Sequence, residues 1–349
     1  MQRPMQRTIK PHRTQRGLTL IELMIAMALG LMVITVVLGV FVNTNRNFRQ
    51  DEMIGRMQEN ARYAMRVLAQ DISMIGFWGY MLNPNIISSG GLTASTDCGV
   101  GTTPWAFDVT PAMQMQMLDA PTAAQVTANY ACIDGTEFEV GTDVFALKRV
   151  EGDPLDSLRA DAGDDGTVFL RTNSVAGTLI NYSHTQTNIP GDNTTPGADM
   201  WDWRYMTRIY HIQNYAVTPG DGIPTLYRMG LSGLQMLKEG GGVAQGIEDF
   251  RINFGIDNGS DGIPDFYVGA PTPVELTNAV TARIYVLART VTPDGGYNNA
   301  KSYQLGDVTR DIDLLSDGLA DGNGDNFRRR VFVTTLKLRN PTNQKLMGM

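Results

Sequence analysis

The length, composition and charge of the chain restrict the classes of protein to which it can belong. Its 349 residues are 42% hydrophobic, which is enough apolar material for at least one packed core. The 37 glycines and 16 prolines indicate many turns, and the 19% of charged residues lie below the globular norm of about 25%. This composition fits neither a disordered nor a collagen-like chain. A net charge of −7 lacks the basic footprint of nucleic-acid binding, so no nucleic-acid partner is expected.

A basic segment and a long apolar stretch come first in the chain. Residues 1–17 contain five basic residues and no acidic one, which predicts that the N-terminus stays cytoplasmic and that the chain beyond about residue 43 lies outside. In residues 18–42 the polar residues are Thr19, Glu22 and Thr35. The uncharged residues 23–42 are long enough, as a helix, to cross a hydrocarbon core of roughly 30 Å. A secretory signal peptide is disfavoured because the apolar run is too long and no Ala-x-Ala sequence follows it.

Glu22 is the feature that a simple membrane anchor does not explain. A carboxylate in a membrane helix costs roughly 2.5–3.5 kcal/mol on insertion scales, so it needs a partner. The surrounding residues, RGLTLIELM at 16–24, resemble the N-terminal signal of type IV pilins and type II secretion pseudopilins. The resemblance implies that a prepilin peptidase cuts between Gly17 and Leu18 and that the new N-terminus is methylated, although Phe is commoner than Leu at this position. It also implies that Glu22, the fifth mature residue, pairs with the N-terminal amine of a neighbouring subunit.

The predicted helix continues beyond the membrane. Apolar residues recur at a spacing of three or four, at Ile54, Met57, Ala61, Ala64, Leu68, Ile72 and Ile75. No proline interrupts residues 18–76, which predicts one helix about 85–90 Å long. We therefore expect a cleaved basic leader (1–17), a transmembrane and filament-core helix (18–42), an amphipathic continuation of that helix (43–76) and a periplasmic or extracellular β-rich globular domain (77–349).

The globular domain carries the period-two patterns of β-strands. In the clearest of them, residues 247–256, Phe250, Ile252, Phe254 and Ile256 alternate with polar residues or glycine, which predicts a half-buried strand. Further strands are predicted at 143–148, 207–213, 225–229, 282–290 and 330–338. A long helix followed by strands predicts an α+β, pilin-like fold in which the helix packs on an antiparallel β-sheet domain.

Three segments of the globular domain resemble the PilW-type minor pilins within the pilin family. They read GTDV at 141–144, GIEDFRI at 246–252 and RRVFVTTLKLRN at 329–340. The resemblance implies a minor pilin that primes type IV pilus assembly as part of a minor-pilin tip complex. Since the outermost member of such complexes lacks the acid that this chain has at Glu22, we expect a position below the apex. The location implied is the bacterial inner membrane before assembly and the pilus, from periplasm to cell surface, afterwards.

The same resemblance implies the partners and leaves two alternatives open. The partners are the other minor pilins, the major pilin, the inner-membrane assembly platform and the prepilin peptidase, with a tip adhesin as a further candidate. PilW-like proteins are similar to the pseudopilin J of type II secretion, so a minor pseudopilin is one alternative. A single-pass membrane-anchored adhesin is the other, and it would not require Glu22.

The cysteines and other soft ligands point to structure rather than to a metal. Cys98 and Cys132 both lie in the exported part of the chain, which is oxidising. We predict a disulfide that closes a loop of about 35 residues and contributes roughly 3–4 kcal/mol, with two free thiols as the alternative. No CxxC exists and the histidines are scattered, at His12, His184 and His211, so zinc is not expected. The alternating Met and Gln residues at 113–117 favour an edge strand or adaptable packing over a copper site.

Two acidic loops are candidate Ca²⁺ ligands. Asp257, Asp261 and Asp265 occupy positions 1, 5 and 9 of an EF-hand-like loop that lacks the carboxylate at position 12. Asp321, Asn323 and Asp325 have the Asp-x-Asn-x-Asp spacing. Plain turns, which prefer the same residue types, are the alternative, and no other cofactor is expected.

Catalytic motifs are missing from the sequence. There is no GxSxG, P-loop, GxGxxG or HExxH pattern. His211 lies in a predicted strand and is interpreted as a satisfied strand residue rather than a general base. We therefore predict that the protein is not an enzyme.

Overall fold

The computed structural model describes residues 17, 19–81, 84–99, 105–155, 166–173, 175–182, 200–312 and 324–338. The chain divides into two compact units, residues 1–52 and 53–349. The helices are α1 (Leu20–Ser73), α2 (Pro111–Gln114), α3 (Ala123–Asn129) and α4 (Pro273–Thr277), with a 3-10 turn at Pro84–Ile86. The strands are β1 (Ile87–Ser88), β2 (Met115–Leu118), β3 (Val144–Val150), β4 (Val168–Thr172), β5 (Gly177–Asn181), β6 (Trp201–Gln213), β7 (Thr225–Ser232), β8 (Gln235–Lys238), β9 (Ala244–Gln245), β10 (Ile247–Ile256), β11 (Phe266–Val268), β12 (Ala279–Arg289), β13 (Ser302–Leu305), β14 (Val308–Asp311) and β15 (Arg329–Lys337).

Helix α1 confirms the long helix predicted from the sequence. It begins at Leu20 and ends at Ser73, three residues before the predicted end. The chain then turns and reaches Gly76, whose φ of 74° is a left-handed conformation that glycine adopts at no steric cost. The apolar spacing continues to Ile75, but the helix ends earlier, at Ser73, because the backbone turns there.

The strands of the described residues form two sheets and one hairpin. The nine-stranded sheet has the order β1-β5-β4-β6-β3-β2, and β7 pairs with β6, β8 and β9. The four-stranded sheet has the order β11-β10-β12-β15, and β13 pairs with β14. The short β1–β5 pair is parallel, and the other pairs are antiparallel. The predicted α+β fold, a long helix with an antiparallel β-sheet domain, is confirmed.

The second half of α1 packs against both sheets. Its buried stripe consists of residues at the predicted spacing: Met57, Ala61, Ala64, Leu68 and Ile72. The stripe shares one hydrophobic core with Phe145 of β3, Tyr210 of β6 and the inward side chains of β10 and β12. The alternate residues of β3 and β6, such as Val144 and Ile209, belong to a second core on the other face of the nine-stranded sheet. Burying both faces of that sheet explains why β3 is buried along its whole length.

The segment between α1 and β3 covers the second core and is held by a disulfide. Cys98 and Cys132 are bonded, with their Cα atoms 4.6 Å apart, which confirms the predicted pairing. Gln114 accepts the indole N–H of Trp78 at 3.0 Å, and Gln116 accepts that of Trp105 at 2.7 Å. Met113 and Gln114 end helix α2, and residues 115–117 lie in β2, which ends the order of the nine-stranded sheet. The predicted edge strand is therefore confirmed only for the second part of the run, and one glutamine amide from each part satisfies a buried indole.

Strand β10 differs from its predicted half-burial. The apolar residues of the strand face the core as expected, but Arg251 and Asn253 on its other face are only 3% and 4% exposed. The guanidinium of Arg251 donates to Asp143 at 2.9 Å and to Asp307 at 3.0 Å, and it also pairs with Asp119. Burial raises the pKa of Asp143 to about 6 although Arg251 opposes the shift. The prediction was wrong because the β13–β14 turn and the β2–β3 region cover this face, and they are distant in sequence.

Lys148 on β3 is a buried cation. Its ammonium donates to the carbonyl oxygens of Trp105 and Asp108 at 2.5 and 2.7 Å and lies 4.2 Å from the centroid of the Trp105 ring. The side chain is almost fully buried and forms no ion pair with a carboxylate that the structure describes. Burial lowers the pKa of Lys148 to about 7, because the charged form loses more hydration than its partners replace.

Raising the pH from about 7 to about 9 should stabilise the protein through Lys148. Above about pH 7 the folded state has released this proton, whereas an unfolded lysine keeps it up to about pH 10.4. The unfolded state then binds more protons, so the free energy of unfolding rises with pH, by about 1–3 kcal/mol over this interval. We expect Lys148→Met to flatten the rise in Tm between these two pH values. Equal pH dependence of Tm in the two proteins would show that Lys148 does not carry it.

Candidate functional site

The N-terminus of α1 places Glu22 in a capping box. The Glu22 carboxylate accepts the backbone N–H and the hydroxyl of Thr19, both at 2.9 Å, and the Glu22 N–H donates to the Thr19 hydroxyl at 3.3 Å. This Thr-x-x-Glu arrangement satisfies N–H groups that the first turn of a helix leaves free. The Thr-x-x-Glu pattern is present in the sequence, from which Glu22 was predicted only to take part in assembly. The carboxylate is exposed, which leaves it accessible to a cation from another molecule.

The first half of α1 exposes an apolar surface in which Glu22 and Thr35 are the polar residues. Every residue from 20 to 42 is exposed, and α1 contains an 18-residue window with a mean hydropathy of 2.8, none of it buried. In water such a surface would be unstable at roughly 25 cal/mol for each Å² exposed, so it requires lipid or other helices. Gly17 precedes this helix, while Leu18 and the leader residues 1–16 lie outside the described residues.

Asp71 anchors the other end of α1 to the nine-stranded sheet, and sequence reasoning missed it. Its fully buried carboxylate accepts from Arg149 of β3 at 2.6 Å, from Arg208 of β6 at 2.6 Å, and from the hydroxyl of Tyr210. Burial raises the pKa of Asp71, but the two arginines and the tyrosine outweigh it, so the pKa is lowered overall. The available signal was an acid within the apolar stripe, three residues after Leu68. We call these four residues the Asp71 cluster.

The first acidic loop has the geometry of a hydrogen-bonded turn. Asp257 accepts the N–H groups of Ser260 and Gly262, Asp261 accepts that of Ile263, and Asp265 accepts that of Asn258. In the described part of the chain no three His, Cys, Asp or Glu side chains are grouped to hold a metal ion.

Only part of the second acidic loop can be compared with the prediction. Asp321 and Asn323 lie outside the described residues. Asp325 pairs with Arg329. Calcium binding to this loop stays a prediction.

His211 has no features of a general base. It is 2% exposed within β6, its ring stacks on Tyr227, and burial lowers its pKa to about 3, so it is neutral. It was expected to be hydrogen-bonded, but its Nδ1 atom has no hydrogen-bond partner. A buried neutral imidazole of this kind contributes to packing rather than to proton transfer.

Two known protein families match parts of the chain. Residues 12–38 match the family described as "Prokaryotic N-terminal methylation motif", and residues 209–340 match "Type IV Pilus-assembly protein W". A solved structure similar to the chain is a type IV-like pilin from Thermus thermophilus, at 10% identity and a TM-score of 0.34, covering 82% of this chain and 97% of that one. No curated protein matches the chain significantly in sequence.

The methylation motif, the exposed apolar helix and the β-sheet domain support the class of type IV pilins. Within that class the match to the PilW family, which begins in β6 and includes the whole four-stranded sheet, supports a PilW-like minor pilin. Pilins of this kind are membrane-anchored subunits that are incorporated into the pilus together with other pilins. The family matches point to a structural protein.

Proposed function

We propose that this protein primes type IV pilus assembly as one subunit of a minor-pilin tip complex. The observation that carries the proposal is the combination of an exposed apolar helix with one carboxylate, Glu22, whose described partner is Thr19 of the same turn. In a low-dielectric filament core an unpaired carboxylate is costly, so a cation from a neighbouring subunit would stabilise the assembled state. The amine created by cleavage between Gly17 and Leu18 is such a cation.

The two units of the chain would then have separate tasks. The leader and the apolar helix deliver the chain to the inner membrane with a cytoplasmic N-terminus. After cleavage and methylation, residues 18–42 would join the filament core, and Glu22 would pair with the amine of the adjacent subunit. The β-domain would contact other minor pilins, below the subunit at the apex. The assembly platform, the prepilin peptidase and the major pilin complete the expected partners.

The mass of the mature N-terminus tests the processing step. We expect a chain that starts at methylated Leu18 in cells with the prepilin peptidase and one that retains residues 1–17 in cells without it. Retention of residues 1–17 in both strains would overturn the proposal, since no new amine would then exist. Deletion of the gene distinguishes the two filament systems: loss of surface pili supports pilus priming, whereas blocked enzyme secretion with normal pili would assign the protein to type II secretion.

A further inference from the structure

Strand β15 is the terminal strand of the four-stranded sheet and has one free edge. Its nine residues pair with β12 in an unbroken antiparallel register from Arg329 to Lys337. No strand that the structure describes pairs with the other edge. The other strands at the ends of the two sheets are much shorter, with two residues in β1, three in β11 and four in β2.

The register identifies the backbone groups that face outwards. At the two ends of the ladder, Thr290 donates to the carbonyl of Arg328, and Leu338 donates to the carbonyl of Val280. Hydrogen bonds to one neighbour recur at every second residue of an antiparallel strand. The even-numbered residues of β15 are therefore bonded to β12. The N–H and C=O groups of residues 331, 333, 335 and 337 point away from the sheet along the free edge.

The side chains of β15 also alternate along the strand, between the two faces of the sheet. Phe332 and Leu336 pack against the hydrophobic core that contains the buried stripe of α1, whereas Val333 on the outer face is 51% exposed. Residues 331–336 are uncharged, and all of them have high or moderate strand propensity. Natural proteins protect such edges with proline, bulges or short strands, and this segment has none of these. An unprotected edge of this length is a template for an added strand.

The charges beside this edge select the partner. β12 and β15 contain five basic residues and no acidic one. Arg289 and Arg329 pair with Glu248. The remaining three, Arg283, Arg330 and Lys337, form no ion pair with a residue that the structure describes. A second copy of β15 would place two basic strands without acidic residues side by side, and like charges across strands are destabilising.

We propose that the free edge of β15 binds an extended acidic segment of a different protein by β-strand addition. The unpaired amides and carbonyls of residues 331–337 would supply the main-chain hydrogen bonds. Lys337 and Arg330, at the two ends of this edge, would pair with acidic side chains of the added strand. This interaction goes beyond pilus priming and does not depend on how the N-terminus is processed.

Amide exchange of the full chain in detergent micelles tests the proposal. The probe is a short synthetic peptide of alternating valine and threonine with a glutamate at each end. Without peptide, the amides of residues 331, 333, 335 and 337 should exchange quickly and their even-numbered neighbours slowly. With peptide, the odd-numbered amides should become protected. A peptide with lysine at both ends should bind about tenfold more weakly at low salt, because it meets like charges.

Substitutions at neighbouring positions provide matched controls. Val333→Pro removes an outward N–H without breaking a bond to β12, so it should preserve Tm and abolish peptide protection. Val333→Thr keeps the N–H and should bind as the wild type does. Thr334→Pro removes a bond to β12 and should lower Tm, which checks the assignment of outward and inward amides.

Three outcomes would overturn the proposal. The first is an absence of peptide protection in the wild type. The second is unchanged protection in a folded Val333→Pro variant. The third is an edge that is already protected in the free chain and becomes exchangeable in a variant ending at Leu338, which would mean that the chain's own C-terminal residues occupy it. Because the readout is amide exchange, a negative result leaves pilus priming to be judged by its own experiment.

Discussion

Removing the charge of Glu22 should abolish surface pili while leaving a processed and stable protein. The carboxylate is exposed and accepts its hydrogen bonds from Thr19 of the same turn, so its loss should not disturb the globular domain. In the proposed assembly, by contrast, the neighbour's N-terminal amine would remain without its anion in a low-dielectric core. The measurements are an immunoblot for the cleaved chain and a count of sheared surface pili.

The capping box supplies a control that separates charge from helix capping. Glutamine at position 22 can make the same hydrogen bonds to Thr19 but carries no charge. We expect Glu22→Gln and Glu22→Ala both to lose piliation. Thr35→Ala should have little effect, since the Thr35 hydroxyl only donates to the carbonyl of Leu31 in the same helix. Normal piliation in the Gln variant would mean that Glu22 acts as a helix cap and not as an ion-pairing group.

Replacing Asp71 with asparagine should destabilise the globular unit by about 3–5 kcal/mol, because it leaves Arg149 and Arg208 buried without their anion. This corresponds to a fall in Tm of roughly 5–15 °C for a domain of this size. Tm would be measured by near-UV circular dichroism on the full chain in mild detergent. Glu59→Gln on the exposed face of the same helix is the control and should change stability by less than about 0.5 kcal/mol.

The pH dependence gives a second signature of Asp71. Its pKa is lowered in the folded state, so its stabilising contribution is present above its ordinary value of about 4 and is lost as the pH falls through the folded value. The wild type should therefore lose stability below about pH 4 more steeply than Asp71→Asn does. If Asp71→Asn and Glu59→Gln gave the same Tm and the same pH profile, the Asp71 cluster would not stabilise the packing of the helix on the sheet.

The local pattern of the chain was sufficient to predict the helix, several strands and the disulfide. The three-to-four spacing from Ile54 to Ile75 identified the stripe that α1 buries. The alternation around Phe250 gave the bounds of β10 as the structure has them. These predictions succeeded because helix and strand periods are properties of neighbouring residues. Strands β4, β5, β13 and β14 were missed, since strands of only four or five residues are too short to show a clear alternation.

By itself the sequence determined the class of protein, because the apolar stretch and the residues around Glu22 are contiguous and form a recognisable pattern without any tertiary contact. Only the tertiary structure decided which polar residues become buried and which edge stays free. The sequence predicted Arg251 on the solvent face of a strand, whereas in the folded chain Asp143 and Asp307 lie against it and accept its hydrogen bonds. The outward amides of β15 likewise follow from its place in the strand order. Such features depend on pairings between distant segments, which no local period encodes.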